Sequence, residues 1–307
     1  MVLTYELIYS KINTGDIMQV QMINENTAQI KGVEHFDLTH TFMCGQCFRW
    51  FQNDDKSYTG VAHSRAVNLS FDGDILTISN TNQEDVKNIW LDYLDLNRDY
   101  SYIKDLYSKD KYVSKAMEYG YGIHILNQDI FECLISFIIS TQNQIPRIKK
   151  IVHSLCEKYG DCIKIGNKEL YAFPTVQKLS GVTADELEFL KAGYRAGYIV
   201  DAVEKIANGC VDLDYVKTLP YPDAKAELMK IKGVGPKVAD CVLLFSGKKS
   251  EAFPIDVWVK RTMQSLYMDE TATNKQIEQK AKELFGEYAG FAQQYLFYYA
   301  RENGGNI

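Results

Sequence analysis

Proline is scarce in this chain, with six in 307 residues, and no proline-rich or low-complexity tract occurs. Polyproline linkers and collagen-like repeats are excluded. The seven cysteines are odd in number and irregularly spaced, so no disulfide framework is expected, and reduced thiols fit better. The five histidines (His35, His40, His63, His124, His153) lack ligand spacing, and no structural zinc is expected. The longest apolar run, near Cys133–Ser140, is too short to cross a bilayer. The N-terminal MVLTYELIYSKINTGD lacks the basic-then-apolar build of a signal peptide, so a soluble intracellular protein is expected. An excess of positive charge is also missing: the formal net charge is −6.

What is present is a mixture that can bury a core, 46% hydrophobic and 24% charged. The length suits one large domain or two ordinary ones. Charge is unevenly placed. Residues 1–110 carry 9 Lys and Arg against 16 Asp and Glu, while residues 230–261 carry seven basic residues against three acidic. A phosphate backbone responds to such a local field more than to the chain's sum. Charge alone, however, favours an ordinary solvated face.

The early chain reads as strands. Val67, Leu69 and Phe71 alternate with polar residues, Asp72-Gly73 follows, and Ile75–Ile78 is rich in β-formers, which is a hairpin signal. Ile17–Met22, Cys47–Phe51 and Tyr58–Val61 read as further strands, so residues 1–85 are expected to form an antiparallel sheet. From about residue 84 the period becomes helical, as in Val86, Ile89, Trp90 and Tyr93. No strand of weight is expected after residue 125, and Tyr288–Arg301 reads as a buried helix. The fold class is therefore α+β, a sheet domain (1–115) followed by an all-helical domain (116–307).

The most informative stretch is Asp223–Ser246. A short helix leads into Lys232-Gly-Val-Gly-Pro-Lys237, and Val238, Cys241, Val242 and Phe245 mark a second helix. Gly233 and Gly235 permit positive φ and leave no Cβ in the way, so backbone amides around Val234 and the helix start can approach a phosphate. Pro236 suits a first helical turn. Gly-Val-Gly alone would describe any αα-hairpin. The flanking lysines and two patterned helices make phosphate binding the better reading. Lys237 starts the second helix, where the dipole opposes a cation and favours the nucleophilic neutral amine. A lysine chosen at random would more often be a surface contact. Asp256 stands at an N-cap position and is also a carboxylate able to stabilise a sugar cation.

Leu-Met-Lys-Ile-Lys-Gly-Val-Gly-Pro-Lys237-Val-Ala-Asp-Cys, followed by Phe-Pro-Ile-Asp256-Val, resembles the helix-hairpin-helix/Gly-Pro-Asp superfamily of DNA glycosylases. Within it the chain is similar to 8-oxoguanine DNA glycosylases with AP-lyase activity. Gly45-Gln-Cys-Phe-Arg-Trp50, Ser140-Thr-Gln-Asn-Gln-Ile-Pro-Arg147, Gly193-Tyr-Arg-Ala-Gly-Tyr198 and Tyr288–Phe297 extend the match over roughly Phe42 to Phe297. The resemblance implies a TATA-binding-protein-like N-terminal sheet and a helix-hairpin-helix glycosylase domain. It implies double-stranded DNA containing 8-oxoguanine as partner, no cofactor, and action in the nucleoid or the nucleus.

It also implies roles. Lys237 falls on the nucleophile and Asp256 on the essential carboxylate. Gly45 falls where a carbonyl accepts N7–H of the oxidised base, a contact at which guanine would present lone pairs. Cys241 and Phe297 sandwich the flipped base, Phe245 lies near its pocket, and Gln293 reads its Watson–Crick edge. Arg147 and Arg195 hold the estranged cytosine, Tyr194 is the wedge, and Gln142 fills the vacated space. Three positions depart from the eukaryotic pattern: Gln142 for asparagine, Phe245 for methionine and Trp258 for a histidine. As in relatives, turn carbonyls of the hairpin are candidates for a monovalent cation. No metal is required.

Four other readings stand beside this one. Cys44-Gly-Gln-Cys47 is a lone CxxC, and buried thiols are expected there rather than a redox pair. Iron–sulfur relatives carry four cysteines after the aspartate, whereas the last cysteine here is Cys241. Alkylated-base glycosylases lack the hairpin lysine. A non-catalytic DNA-binding module would not need Lys237 and Asp256 together. No coiled-coil heptad is present, and a monomer is expected.

Overall fold

The computed structural model describes residues 6–10 and 17–304. The signal-peptide reading of the first sixteen residues therefore falls largely outside the described residues. Seven strands form one antiparallel sheet: β1 (Glu6–Ser10), β2 (Ile17–Asn24), β3 (Thr27–Lys31), β4 (Trp50–Gln52), β5 (Tyr58–Ala62), β6 (Arg65–Asp72) and β7 (Ile75–Ser79). Their order is β1-β2-β3-β7-β6-β5-β4. Asp72 pairs with Ile75 across the expected Asp-Gly hairpin. The two-residue alternation buries Ala28, Ile30, Leu69, Leu76 and Ile78 on one face. Trp50 and Tyr58 extend that face from β4 and β5, and Phe42 and Trp90 join the same buried cluster. One helix, α1 (Leu38–Met43), interrupts the strands; Asp37 caps it by accepting from His40 N. The strand expected at Cys47 begins only at Trp50, because residues 44–49 form the loop that reaches the other domain.

Helices follow: α2 (Gln83–Asp85), α3 (Leu91–Tyr93), α4 (Tyr100–Tyr107), α5 (Lys111–Tyr119), α6 (Ile130–Ser140), α7 (Ile145–Tyr159), α8 (Val176–Leu179), α9 (Arg195–Ala207), α10 (Leu213–Thr218), α11 (Tyr221–Leu228), α12 (Pro236–Phe245), α13 (Val257–Tyr267), α14 (Asn274–Phe285) and α15 (Ala289–Glu302). The second domain is not all-helical. Strands β8 (Cys162–Ile165) and β9 (Lys168–Tyr171) form a small antiparallel hairpin around Gly166, which has φ +55°. The expectation of no strand after residue 125 missed it because β8 and β9 are only four residues each and none of their residues is buried, too short a run for alternation to mark a strand.

Helix α6 is apolar nearly all round, with nine of its eleven residues buried. Such a helix belongs in a core. It packs against α12, α7 and α9 and forms the axis of the helical domain. Polar groups also tie residues 41–49 to residues 124–132. Gln46 is fully buried; its Nε2 donates to Thr41 O (2.8 Å) and His124 O (2.7 Å), and its Oε1 accepts from Leu126 N (2.9 Å). Arg49 pairs with Glu132 of α6 at 3.2 Å. Among the described residues no helix is long and apolar enough to cross a membrane.

Candidate active site

The hairpin turns between α11 and α12 through residues 231–235, closed by Val234 N donating to Ile231 O at 3.1 Å. Its two glycines have different reasons. Gly233 has φ +85°, and a Cβ there would lie 2.2 Å from the Tyr198 ring, so both conformation and packing require glycine. Gly235 is extended (φ −93°), and a Cβ there would touch nothing within 4 Å. Its bareness serves no packing and leaves the start of α12 open to a phosphate. Val234 is buried, while Lys232 is exposed and its backbone N–H is held by Asp201 Oδ2 at 2.7 Å. Pro236 occupies the first turn of α12 as expected.

Lys237 is half-buried, and its Nζ lies 5.0 Å from the centroid of the Phe137 ring on α6. Phe137 in turn stacks on Phe245 at 5.5 Å, so Phe245 supports the ring beneath the amine. Asp256 caps α13, its Oδ1 accepting from Val259 N at 2.8 Å. Burial pushes its carboxyl above the ordinary range, and the bond from Val259 N and the charges of Lys237 and Arg301 pull against that. Lys237 and Asp256 thus sense one another from the starts of two helices without forming a direct ion pair. Cys241, one turn after Lys237, is buried; burial pushes its thiol up to about 11, with Lys237 opposing. It is a packing surface rather than a thiolate.

A second group of site residues comes from the 43–46 loop and α15, whose Arg301 lies within the field of Asp256. Gly45 has φ +88°, and a Cβ on it would stand 3.1 Å from Phe297 Cε1. The carbonyls beside it are engaged: Met43 O accepts from Arg301, Cys44 O from Gln294 Nε2 (2.9 Å) and Gln46 O from Gln128 Nε2 (2.7 Å). No described hydrogen bond is accepted by the carbonyl of Gly45 itself. Gln293 is buried, and its Oε1 has no partner among the described residues. A buried acceptor left unmatched costs about 1–3 kcal/mol, which a donor on a ligand would recover. Phe297, one turn further along α15, is half-buried.

The residues assigned to the opposite strand lie together on the surface. Gln142 is exposed and left-handed (φ +48°). Tyr194 is 51% exposed, with its hydroxyl 3.4 Å from Gln142 Oε1. Arg195 is buried under them and bonded to backbone: Nε to Thr141 O (2.8 Å), Nη2 to Gln142 O (3.0 Å) and Nη1 to Ala192 O (3.1 Å). Arg147 is exposed and donates to Lys191 O at 2.9 Å.

Sequence reading missed Phe137, Tyr198, Gln46 and Arg301. Gln46 lay inside a quoted motif, and Arg301 stands one helical turn beyond the last one. Tyr198 likewise lay inside a quoted motif, and Phe137 inside the apolar run near Cys133–Ser140, and neither carried a signal of its own. Cys44 and Cys47 are both buried with thiols pushed up by burial, which fits the expectation of packed thiols. Among the described residues no group of His, Cys, Asp and Glu is arranged to hold a metal.

Comparison with known proteins agrees with this geometry. The 8-oxoguanine DNA glycosylase N-terminal domain matches residues 29–134, and the HhH-GPD superfamily base excision DNA repair protein matches residues 135–287. The chain is 31% identical over 224 residues to a probable N-glycosylase/DNA lyase of Methanothermobacter thermautotrophicus, covering 66% of this chain and 72% of that one. It is 32% identical over 285 residues to the Arabidopsis thaliana N-glycosylase/DNA lyase OGG1, covering 86% of this chain and 77% of the other. The crystal structure of Clostridium acetobutylicum 8-oxoguanine glycosylase/lyase, in complex with dsDNA containing cytosine opposite to 8-oxoG, superposes with a TM-score of 0.91 at 45% identity, covering 94% of this chain and 99% of that chain. A sheet domain, a lysine-bearing hairpin and a capping aspartate, matched over both domains, lead to one assignment: the chain belongs to the 8-oxoguanine DNA glycosylase/lyase family within the HhH-GPD superfamily.

Proposed function

We infer that the protein is a bifunctional base-excision-repair enzyme. It excises 8-oxoguanine from duplex DNA and then nicks the strand as an AP lyase. The observation that carries this reading is the placement of Lys237 and Asp256 at the starts of α12 and α13, each within the other's field.

The target nucleotide leaves the stack, because C1′ is inaccessible inside a duplex. Open amides at Gly235 and the exposed Lys232 favour a phosphate at the hairpin. The base enters between Phe297 and Cys241, with its N7–H toward the Gly45 carbonyl and its donor edge toward Gln293 Oε1. Lys237 Nζ attacks C1′; the C1′–N9 bond breaks, and the base departs with the electron pair and takes up a proton. Asp256 stabilises the sugar cation as it develops and accepts the proton that the amine sheds. The resulting glycosylamine opens as the C1′–O4′ bond breaks and O4′ takes up the proton held by Asp256, leaving a Schiff base. Loss of a C2′ proton then expels the 3′ phosphate by β-elimination. On the other side of the gap, Tyr194 and Gln142 occupy the vacated stack, and Arg147 and Arg195 face the estranged base. One chain supplies every group, so the enzyme acts as a monomer.

The test is strand incision of an end-labelled duplex with 8-oxoguanine opposite cytosine. Expected is a β-elimination product with free 8-oxoguanine, and no cut in the undamaged duplex. Tight binding without base release would identify a non-catalytic module instead. Release of alkylated purines but not 8-oxoguanine would identify an alkylated-base enzyme.

A further inference from the structure

On α15, Gln293, Phe297 and Arg301 stand four residues apart and share one face. Two polar atoms on that stripe are buried and have no partner among the described residues: Gln293 Oε1, an acceptor, and Arg301 Nη1, a donor. Arg301 is otherwise firmly held. Its Nε and Nη2 meet Glu302 Oε1 at 2.9 and 2.8 Å, and Nη2 also donates to Met43 O. These contacts fix the guanidinium plane and leave only Nη1 unmatched. Its Cζ lies 5.4 Å from the Phe297 ring centroid and 5.5 Å from that of Tyr298. A Cβ on Gly45 would stand 3.0 Å from Nη1 and 3.1 Å from Phe297 Cε1. The guanidinium edge, the Phe297 ring and the Gly45 backbone therefore meet at one place.

Arginine carries donors only and does not deprotonate in proteins. A donor buried at this corner needs an acceptor from the ligand; O6 flanks N7 on the C6 side in guanine and lesion alike, so only an acceptor on the C8 side of N7 tells them apart. The lesion has one, the exocyclic oxygen at C8; guanine carries C8–H in that place. We propose that Arg301 is a specificity-determining residue, its Nη1–H donating to the C8 oxygen of the flipped base. The proposal rests on the 8-oxoguanine reading given above and assigns a lesion-specific contact to a residue outside the hairpin. Gln293 and Arg301 then hold opposite edges of one ring, the first by accepting and the second by donating. Guanine offers no acceptor on the C8 side, which leaves Nη1 buried and unmatched there, and rejection by an unmatched buried group is stronger than rejection by shape.

Binding in a Lys237→Gln background, which removes the nucleophile, tests this. Arg301→Leu keeps a stem against Phe297 and Tyr298 while removing the donor. Three duplexes are compared, carrying 8-oxoguanine, guanine or a tetrahydrofuran abasic analogue opposite cytosine. Expected is a loss of about tenfold or more in affinity for 8-oxoguanine, with a change below about twofold for tetrahydrofuran. Equal losses on both would mean that Arg301 only braces the 43–46 loop, and would overturn the proposal. No loss on either would overturn it as well. Should Arg301→Leu fail to fold, Arg301→Lys retains a cation and donor and is expected to lose less, in the same base-dependent way; a base-independent loss there overturns the proposal too. If the Lys237→Gln parent with Arg301 intact binds 8-oxoguanine no better than guanine, the 8-oxoguanine reading fails first, an outcome distinct from those of the Arg301 arms.

Discussion

The two walls of the site differ in what folding has already done with their polar groups. On the base side, Gln293 Oε1 and Arg301 Nη1 are buried and unmatched, and the Gly45 carbonyl stands free among engaged neighbours. On the opposite-strand side, Arg195 is bonded to three backbone carbonyls and Arg147 to a fourth, while Tyr194 and Gln142 are exposed. The first wall is built rigid and holds open valences for one ligand. The second satisfies itself, so it must exchange internal bonds for contacts to DNA. Under the proposed function, lesion recognition is preorganised and reading of the partner base involves rearrangement.

This contrast predicts where substitutions act. The largest effect is on chemistry. Lys237→Gln should abolish borohydride trapping and reduce excision to background, while affinity for the 8-oxoguanine duplex changes little; trapping that persists would remove Lys237 from its role. Next is Asp256→Asn, expected to slow excision by about 10²–10⁴-fold with little loss of binding. Its pH behaviour carries a sign. Burial raises the Asp256 carboxyl above 3.8, and in the proposed mechanism the carboxylate is the active form. Excision should therefore rise as pH climbs through that raised value, placing the acid limb above 3.8, and Asn should flatten the limb. An acid limb unchanged in Asp256→Asn would assign it to another group.

Substitutions on the opposite wall should act on binding instead. Arg195→Ala removes the bonds that hold residues 141–142 and should weaken duplex affinity by about tenfold, with single-turnover excision from the bound state nearly intact. A fall in that bound-state rate as large as that of Asp256→Asn would erase the distinction between the walls. Smallest is Gln142→Asn, which shortens one exposed amide. It should change the preference among opposite bases by less than about threefold, measured as excision rates against C, A, G and T. A larger shift would mean that this wall is more rigid than its exposure suggests.

Much of this was legible in the sequence because it is local. Asp72-Gly73 announces a hairpin, Pro236 a first turn, and Asp256 a cap, and each depends on a few neighbouring residues. The lysine hairpin resembled a family closely enough to name the chemistry. What was not legible is long-range. Phe137 reaches Lys237 because α6 packs on α12, which no local pattern states. Gln46 joins segments some 80 residues apart, and its identity is explained only by those partners. Arg301 reads as a charged helix end until Met43, Gly45 and Phe297 are seen around it. The β8–β9 hairpin was missed because four-residue strands with no buried position are too short for a period to register.

The central claim is that the amine at the mouth of the Gly233–Gly235 turn becomes joined to deoxyribose. Peptide mapping of the adduct formed when wild-type enzyme and an 8-oxoguanine duplex are quenched with borohydride tests it most directly. The account predicts a single modified peptide carrying the sugar on Lys237. An adduct on another lysine, or none from an enzyme that binds and incises the duplex, would contradict it.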